Sequence, residues 1–537
     1  MIKLDDIRRH AAHGATRDAL IDGQVRLTWG RFGDTVESVA AGLAQRLPAD
    51  GPVRAVFLAK NTWQLTVAMS ACATLGVSCT GLDADTDPDT LASVLTRLEP
   101  SFVFSDSDRR TVLDRLVRPT GPEALHILLD GTSQPGDDPD PARRRTLPFD
   151  RLTSTEPLRE LPAPLPYESF AISDDDAGPV RIAVRRTPYE GRHLVDLVDE
   201  FGLARSDVHL ASAPLAQHSA LALTRTALGV GATVVLADGA DGPALTALLA
   251  DERVTTATVG PAALRALLAQ PADAAPSPRT GHLRFLATPA RQLGTWAVNT
   301  AWERLGPVLH TTLGSPETGL TAVLGPEELL VSPPHSGRTT LGTTVVVLGE
   351  DGRVLPQGET GRLGFAGHQV MDGYLDGDAA FTTLDHGPGE ERFLLTGQCG
   401  RIDGTGRLQV TGRTTGVPVQ ERGSAVDAEL FRLESDLLSL PCLRDTAVMR
   451  VSSPVLGDAI VVPFIAVAVG REATGYEALS AACARRVPSL AAHVIAVDTI
   501  PYSPTGRIRS GELLDAVLPI ITLNLQLEQS MQQEMST

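Results

Sequence analysis

Apolar and polar positions alternate between two periods along most of this chain. Leu27-Thr28-Trp29 followed by Phe32, Val36, Val39 and Leu43 has the 3.6-residue spacing of an amphipathic helix. Residues 53–58 read as a buried strand, 63–75 as a helix and 102–104 as another strand. This strand-then-helix alternation runs to about residue 320 and predicts parallel sheets covered by helices. Residues 341–348 and 361–365 then read as strands of a small β-rich unit. Phe393, Leu394 and Leu395 lead into a Thr396-Gly397 corner, and Ile402 and residues 408–410 flank Asp403-Gly404-Thr405-Gly406, which predicts a tight hairpin. After Arg413 the order is mixed: helix 425–438, strands 445–451 and 459–469, helix 476–486 and strand 493–497.

The predicted fold class is therefore α/β. A large N-terminal domain of parallel sheets covered by helices, with its β-rich unit, spans 1–412. A small α+β C-terminal domain spans 413–518, and a tail of 519–537 reads either as an apolar-faced helix or as a frayed terminus.

Composition changes this picture in a few places. A chain of 537 residues that is 42% hydrophobic buries more than one core. Its net charge of -18 argues against nucleic acid and against an anionic membrane as main partner. Cys72, Cys79, Cys399, Cys442 and Cys483 lack metal-ligand spacing and suit reduced, packing cysteines, Cys72 and Cys79 near the end of the 63–75 helix. No charged-then-apolar leader opens the sequence, and the longest apolar stretch, 220–237, is broken by Arg225, so a cytoplasmic protein without a membrane span is expected. Only Lys3 and Lys60 are lysines among 47 basic residues, leaving 45 arginines. Residues 131–166 are rich in Pro, Asp and Arg and predict a long surface connector, with Arg143-Arg144-Arg145 on a solvated face.

Two stretches carry a resemblance. The Thr396-Gly397-Gln398, Gly400-Arg401 and Gly412-Arg413 series is similar to the T-G-D, G-R and hinge region of the adenylate-forming superfamily, which includes acyl-CoA ligases, peptide-synthetase adenylation domains and luciferases. Pro504-Thr505-Gly506-Arg507 resembles its terminal P-x-x-G-K motif. Between them, HTTLGSPETG is similar to Y-G-x-T-E, and Gly364, Gly367, Gly373 and Tyr374 to G-x-x-x-x-G-Y. The resemblance covers nearly the whole chain. It implies an ATP- and Mg²⁺-dependent activation of a small carboxylic acid, with CoA, an acyl-carrier protein or an amine as acceptor, and a C-terminal domain that rotates as a lid. It also implies site residues: Glu317 for Mg²⁺ and catalysis, Arg507 at the catalytic Lys position, and His218, one residue out of register, at the acyl pocket. Ser173, Asp174, Asp175, Asp176, Gly314, Gln398 and Arg413 fall on the nucleotide side.

The departures concern nucleotide handling. ISDDDAGPVRI stands where the family has its phosphate loop, and Asp174, Asp175 and Asp176 replace the glycines and hydroxyls that cradle an anion. One pair of like charges about 5 Å apart costs roughly 3 kcal/mol at an effective dielectric of about 20. Alternatively the carboxylates hold Mg²⁺ that bridges to phosphate. Pro316 replaces a Thr whose hydroxyl bonds the α-phosphate, Gln398 replaces Asp, and Arg507 presents a planar fork instead of an ammonium. Two readings follow: an AMP-forming ligase of bacterial specialised metabolism with altered or lost ATP chemistry, or an ATP-independent acyl-transfer enzyme or non-catalytic acyl- or partner-binding protein on the same fold.

Overall fold

A computed structural model describes residues 1–49, 51–83, 86–116, 124–131, 146–158, 160–173, 180–186, 190–237, 239–270, 281–289, 293–331, 336–377, 379–386, 389–413, 425–453, 456–467, 472–502 and 508–535. The architecture is the expected α/β one. In one sheet the strands Arg54–Leu58, Ser78–Leu82, Phe102–Ser105, Leu125–Leu128 and Thr146–Pro148 are parallel, and Ser169–Ser173, Arg181–Arg185 and Gly373–Tyr374 extend its far side. In the second sheet Asp18–Asp22, Thr233–Leu236, Val208–Ala211, Thr256–Thr258, Phe285–Thr288 and Leu309–Ser315 form a parallel block.

Strand alternation assigns the two faces of that block. Leu210, Ala257, Leu286 and Leu309 are in register and pack under helices Gly242–Asp251, Pro261–Leu268 and Thr295–Leu305. Phe285 and Ala287 point the other way, against Leu197 and Phe201 of helix Glu190–Phe201 and Leu223 of helix His218–Val230.

The β-rich region is an extension of this second sheet. Ser336–Thr339 pairs with Gly319–Leu324 on one side and with Leu408–Arg413 on the other, so the hydrogen-bonded ladder never breaks. The hairpin about residues 403–406 is present. The expected Thr396-Gly397 corner is not, because Gly389–Ile402 is one continuous strand and a bulge at Cys399/Gly400 absorbs the irregularity. Cys79 lies on strand Ser78–Leu82, beyond the helix that carries Cys72, and both are buried. The 131–166 connector also holds more structure than its composition predicts. Thr146–Pro148 adds a strand, and Phe149–Thr153 is a helix whose Phe149 and Leu152 are buried. Arg143-Arg144-Arg145 lie outside the described residues.

Beyond residue 424 a small α+β unit forms around strand Gly457–Ala466. It pairs with Leu443–Thr446, Met449–Ser453 and Ala491–Ala496, where the sequence reading had merged the first two of these into one strand. Helices Ala425–Leu438 and Glu472–Arg486 cover one face, and Ser510–Met535 the other. That last helix carries Pro519 internally, so residues on both sides of 518 share one element, and Ile520, Leu523 and Leu527 stay exposed. Each buried apolar cluster of the described residues lies wholly before residue 414 or wholly after 424. Among the described residues no helix is long and apolar enough to cross a membrane.

Candidate active site

The parallel block ends at Ala211, Thr258, Thr288 and Ser315, and open α/β sheets bind ligands at this carboxyl edge. The edge is finished by a tight turn between Leu309–Ser315 and Gly319–Leu324. The Ser315 hydroxyl accepts from the amides of Glu317 at 3.3 Å and Thr318 at 3.2 Å, and the Ser315 amide donates to the Thr318 hydroxyl at 3.2 Å. Gly314 is required here, since a Cβ would sit 2.2 Å from the Gly319 carbonyl oxygen, and Gly319 has φ of +72°.

The turn presents Glu317 to Tyr374, whose hydroxyl donates to Oε1 at 3.2 Å. Burial and the adjacent carboxylate push the Tyr374 phenol up to about 12, so it remains a donor at neutral pH. Arg181 stacks 5.3 Å over the Tyr374 ring, and the Met371 amide donates to the Glu317 carbonyl at 2.8 Å. The structure thus brings Tyr374 to Glu317 on the turn that Gly314 permits.

Arg185 is the residue that the sequence reading missed. It ends strand Arg181–Arg185 on the same face as Ala183, opposite Ile182 and Val184, and is only 3% exposed. Its Nε donates to the Gln369 carbonyl at 2.7 Å and its Nη2 to the Pro316 carbonyl at 2.6 Å. The signal was present in RIAVRR, where the strand's alternation turns an arginine inward. The Pro316 carbonyl is thereby committed to a guanidinium, at a position offering neither hydroxyl nor N–H.

His218 opens helix His218–Val230 beside this group. The residue as a whole is partly exposed, yet its Nε2 is enclosed and makes no hydrogen bond among the described residues. Burial, reinforced by Arg185, His193 and Arg225, pushes its pKa well below the ordinary histidine value, so it is a neutral imidazole. His193, similarly enclosed, is pushed down to about 3 by burial and then by Arg225.

The other predicted residues are less concentrated. Ser173 is buried at the end of Ser169–Ser173, in register with Arg181. Gln398 pairs in register with Arg413 across Gly389–Ile402 and Leu408–Arg413, and its amide donates to the Thr396 hydroxyl at 3.2 Å. Neighbouring Cys399 has its thiol pKa raised by burial, as a packing cysteine does. Asp174, Asp175, Asp176 and Arg507 lie outside the described residues. Among the described residues no group of three His, Cys, Asp or Glu side chains is placed to hold a metal ion. Pro316 offers no hydroxyl where the resemblance implies one, and Glu317 keeps the carboxylate that the resemblance assigns to Mg²⁺.

This fold is that of the adenylate-forming class. Residues 7–166 and 190–375 match the family described as AMP-binding enzyme, more than half of the chain, and the protein belongs to that family. The match is interrupted over 167–189, the segment that holds the acidic run Asp174-Asp175-Asp176 and Arg185. Curated relatives include acyl- and aryl-CoA ligases and nonribosomal peptide synthetases. The chain is 26% identical over 291 residues to 4-coumarate--CoA ligase 1 of Glycine max, covering 52% of this chain and 96% of that one. It is 24% identical over 500 residues to sulfoacetate--CoA ligase of Cupriavidus necator, covering 91% and 92%. Among solved structures, a benzoate CoA ligase from Burkholderia xenovorans superimposes with TM-score 0.74 at 18% identity, covering 95% of this chain and 99% of that one. An amide bond synthetase from Marinactinospora thermotolerans does so with TM-score 0.72 at 21% identity, covering 95% and 98%.

Proposed function

We propose that this chain holds a small carboxylic acid or acyl group at the carboxyl edge of the second sheet, as an adenylate-forming ligase-like protein whose ATP chemistry is altered or lost. The observation that carries the reading is the Pro316 carbonyl tied to buried Arg185, where the resemblance implies a threonine hydroxyl for the α-phosphate. The acidic run Asp174 to Asp176, Gln398 and Arg507 point the same way, and the interruption of the family match over 167–189 supports it. In this reading His218 lines the acyl pocket, Glu317 and Arg507 are the groups nearest the chemistry, and Ser173, Gly314, Gln398 and Arg413 are remnants of the nucleotide side. CoA, an acyl-carrier protein or an amine is the acceptor class. A place in bacterial specialised metabolism accords with the arginine-rich, lysine-poor composition.

Retention of Gly314 in the turn and of the Glu317–Tyr374 hydrogen bond favours a second reading, a working AMP-forming ligase. Calorimetric titration of ATP with Mg²⁺ separates the two. No heat at millimolar nucleotide from folded protein is the expected result and directs the search to acyl thioesters and carrier proteins. Saturable micromolar binding, followed by acid-dependent pyrophosphate release, would establish the ligase instead.

A further inference from the structure

The two units share no buried apolar cluster among the described residues, so what seats the C-terminal unit on the larger one is polar. Asp445, on strand Leu443–Thr446, has a side chain only 4% exposed, and its Oδ2 lies 2.9 Å from Nε of Arg265 on helix Pro261–Leu268. The Tyr502 hydroxyl donates to the same oxygen at 2.9 Å, and the Arg265 guanidinium stacks 4.2 Å over the Tyr502 ring. Two smaller contacts flank this group. Arg444 stacks 5.0 Å over Trp296, and the Thr295 hydroxyl donates to the Ser439 carbonyl at 3.2 Å. All three cross from helices Pro261–Leu268 and Thr295–Leu305 to the C-terminal unit.

We propose that Arg265, Asp445 and Tyr502 form a polar latch that fixes the seating of the C-terminal unit on the helix following strand Thr256–Thr258, and are positioning residues for chemistry at the sheet's edge. Three features argue for a latch in place of a permanent joint. Each member keeps support inside its own unit when the seam opens. Leu264, Leu267 and Leu268 anchor the Arg265 helix in the large unit's core, and the Thr446 amide donates to Asp445 Oδ1 at 3.0 Å within the small one. Burial raises the Asp445 pKa against the pull of Arg265, so the closed state carries a desolvation cost that water relieves on opening. The third feature is placement: Tyr502 pairs with Ile508 in an isolated bridge, so the latch is tied directly to the start of the segment that leads into helix Ser510–Met535. The consequence for chemistry rests on the function proposed above, whereas the seating does not.

The test is small-angle X-ray scattering of the full chain without ligand, with far-UV circular dichroism as the fold control. Arg265→Met and Asp445→Asn are each expected to lower the seated-to-unseated ratio by about tenfold or more. Scattering then gives a larger maximum dimension with unchanged secondary structure. The double variant opens no further than the more open single variant, because the three groups act as one unit. Arg265→Lys, which keeps the charge, is expected to restore most of the seating. Should Asp445→Asn unfold the small unit, Arg265→Met still decides, since its helix is held by leucines elsewhere. Scattering curves of a folded Arg265→Met protein that superimpose on those of the unmodified chain overturn the latch, and they do so whatever the outcome of the nucleotide titration.

Discussion

Two arginines of this molecule, Arg185 buried and Arg265 half-buried, are held in opposite ways. Arg185 donates to two backbone carbonyls, Pro316 and Gln369, on segments of its own unit. Arg265 forms an ion pair with a carboxylate on the other unit and stacks on a tyrosine there. Carbonyls do not titrate and cannot leave without dismantling their turns, so the first arrangement is a fixture. A carboxylate and a phenol leave together with the unit that carries them, so the second is a closure. The permanence of a buried charge is set by what its partners are attached to, more than by its depth.

The sharpest way to break this contrast is Arg185→Met. It leaves two enclosed carbonyls without their charged donor, and each lost charge-assisted bond contributes about 1.5–3 kcal/mol, so a loss of about 4 kcal/mol in urea unfolding of the large unit is expected. If the variant melts like the parent, the fixture reading fails. Gly314→Ala is next, at about 2 kcal/mol, because its methyl meets the Gly319 carbonyl and the turn that presents Glu317 must move. Thermal unfolding measures that loss, and a silent Gly314→Ala would mean that the turn is plastic.

A pH series tests the same unit by another route. Burial holds His209 down at about 4 and His193 at about 3. Below about pH 6.5 the unfolded chain takes up protons at these histidines that the folded chain refuses. Their contribution is therefore fully present above pH 6.5 and is lost as pH falls toward 4, by about 1 kcal/mol per pH unit for each. Replacing His209 with Val should lower the slope by about 1 kcal/mol per pH unit in urea unfolding recorded from about pH 6 to about pH 4.5. The smallest expected effect is Tyr502→Phe at the seam, worth about 1 kcal/mol for one hydrogen bond. It should make seating more salt-sensitive in scattering while leaving the unfolding of the large unit unchanged.

Much of the fold was legible because helix period shows in the apolar positions, as with Trp29–Ala44, and turn chemistry in the local sequence, as with the hairpin around 403–406. The continuity of Gly389–Ile402 was not, since Thr-Gly has turn composition and only pairing with strands on either side keeps it extended. In the site, Gly314 and Glu317 were legible by resemblance, and their proximity to Tyr374, 57 residues after Glu317, follows from Gly373–Tyr374 pairing with Arg181–Arg185. Arg185 and the Arg265–Asp445–Tyr502 group escaped because arginine normally reads as a solvated residue. Their roles depend on partners 131 residues away for Arg185 to Pro316 and on the other unit for Arg265.

Strand Leu408–Arg413 lies between Gly389–Ile402 and Ser336–Thr339, and the chain leaves it for the C-terminal unit at its Arg413 end. Tension applied through that unit would load the strand along its length, against inter-strand bonds that run across it and must yield together. The seam at Arg265 would meet the same tension as a few contacts that can part in turn. Pulled from its C-terminal end, the molecule should therefore surrender the seam at low force and keep the strand to high force, like a clasp sewn onto a strap.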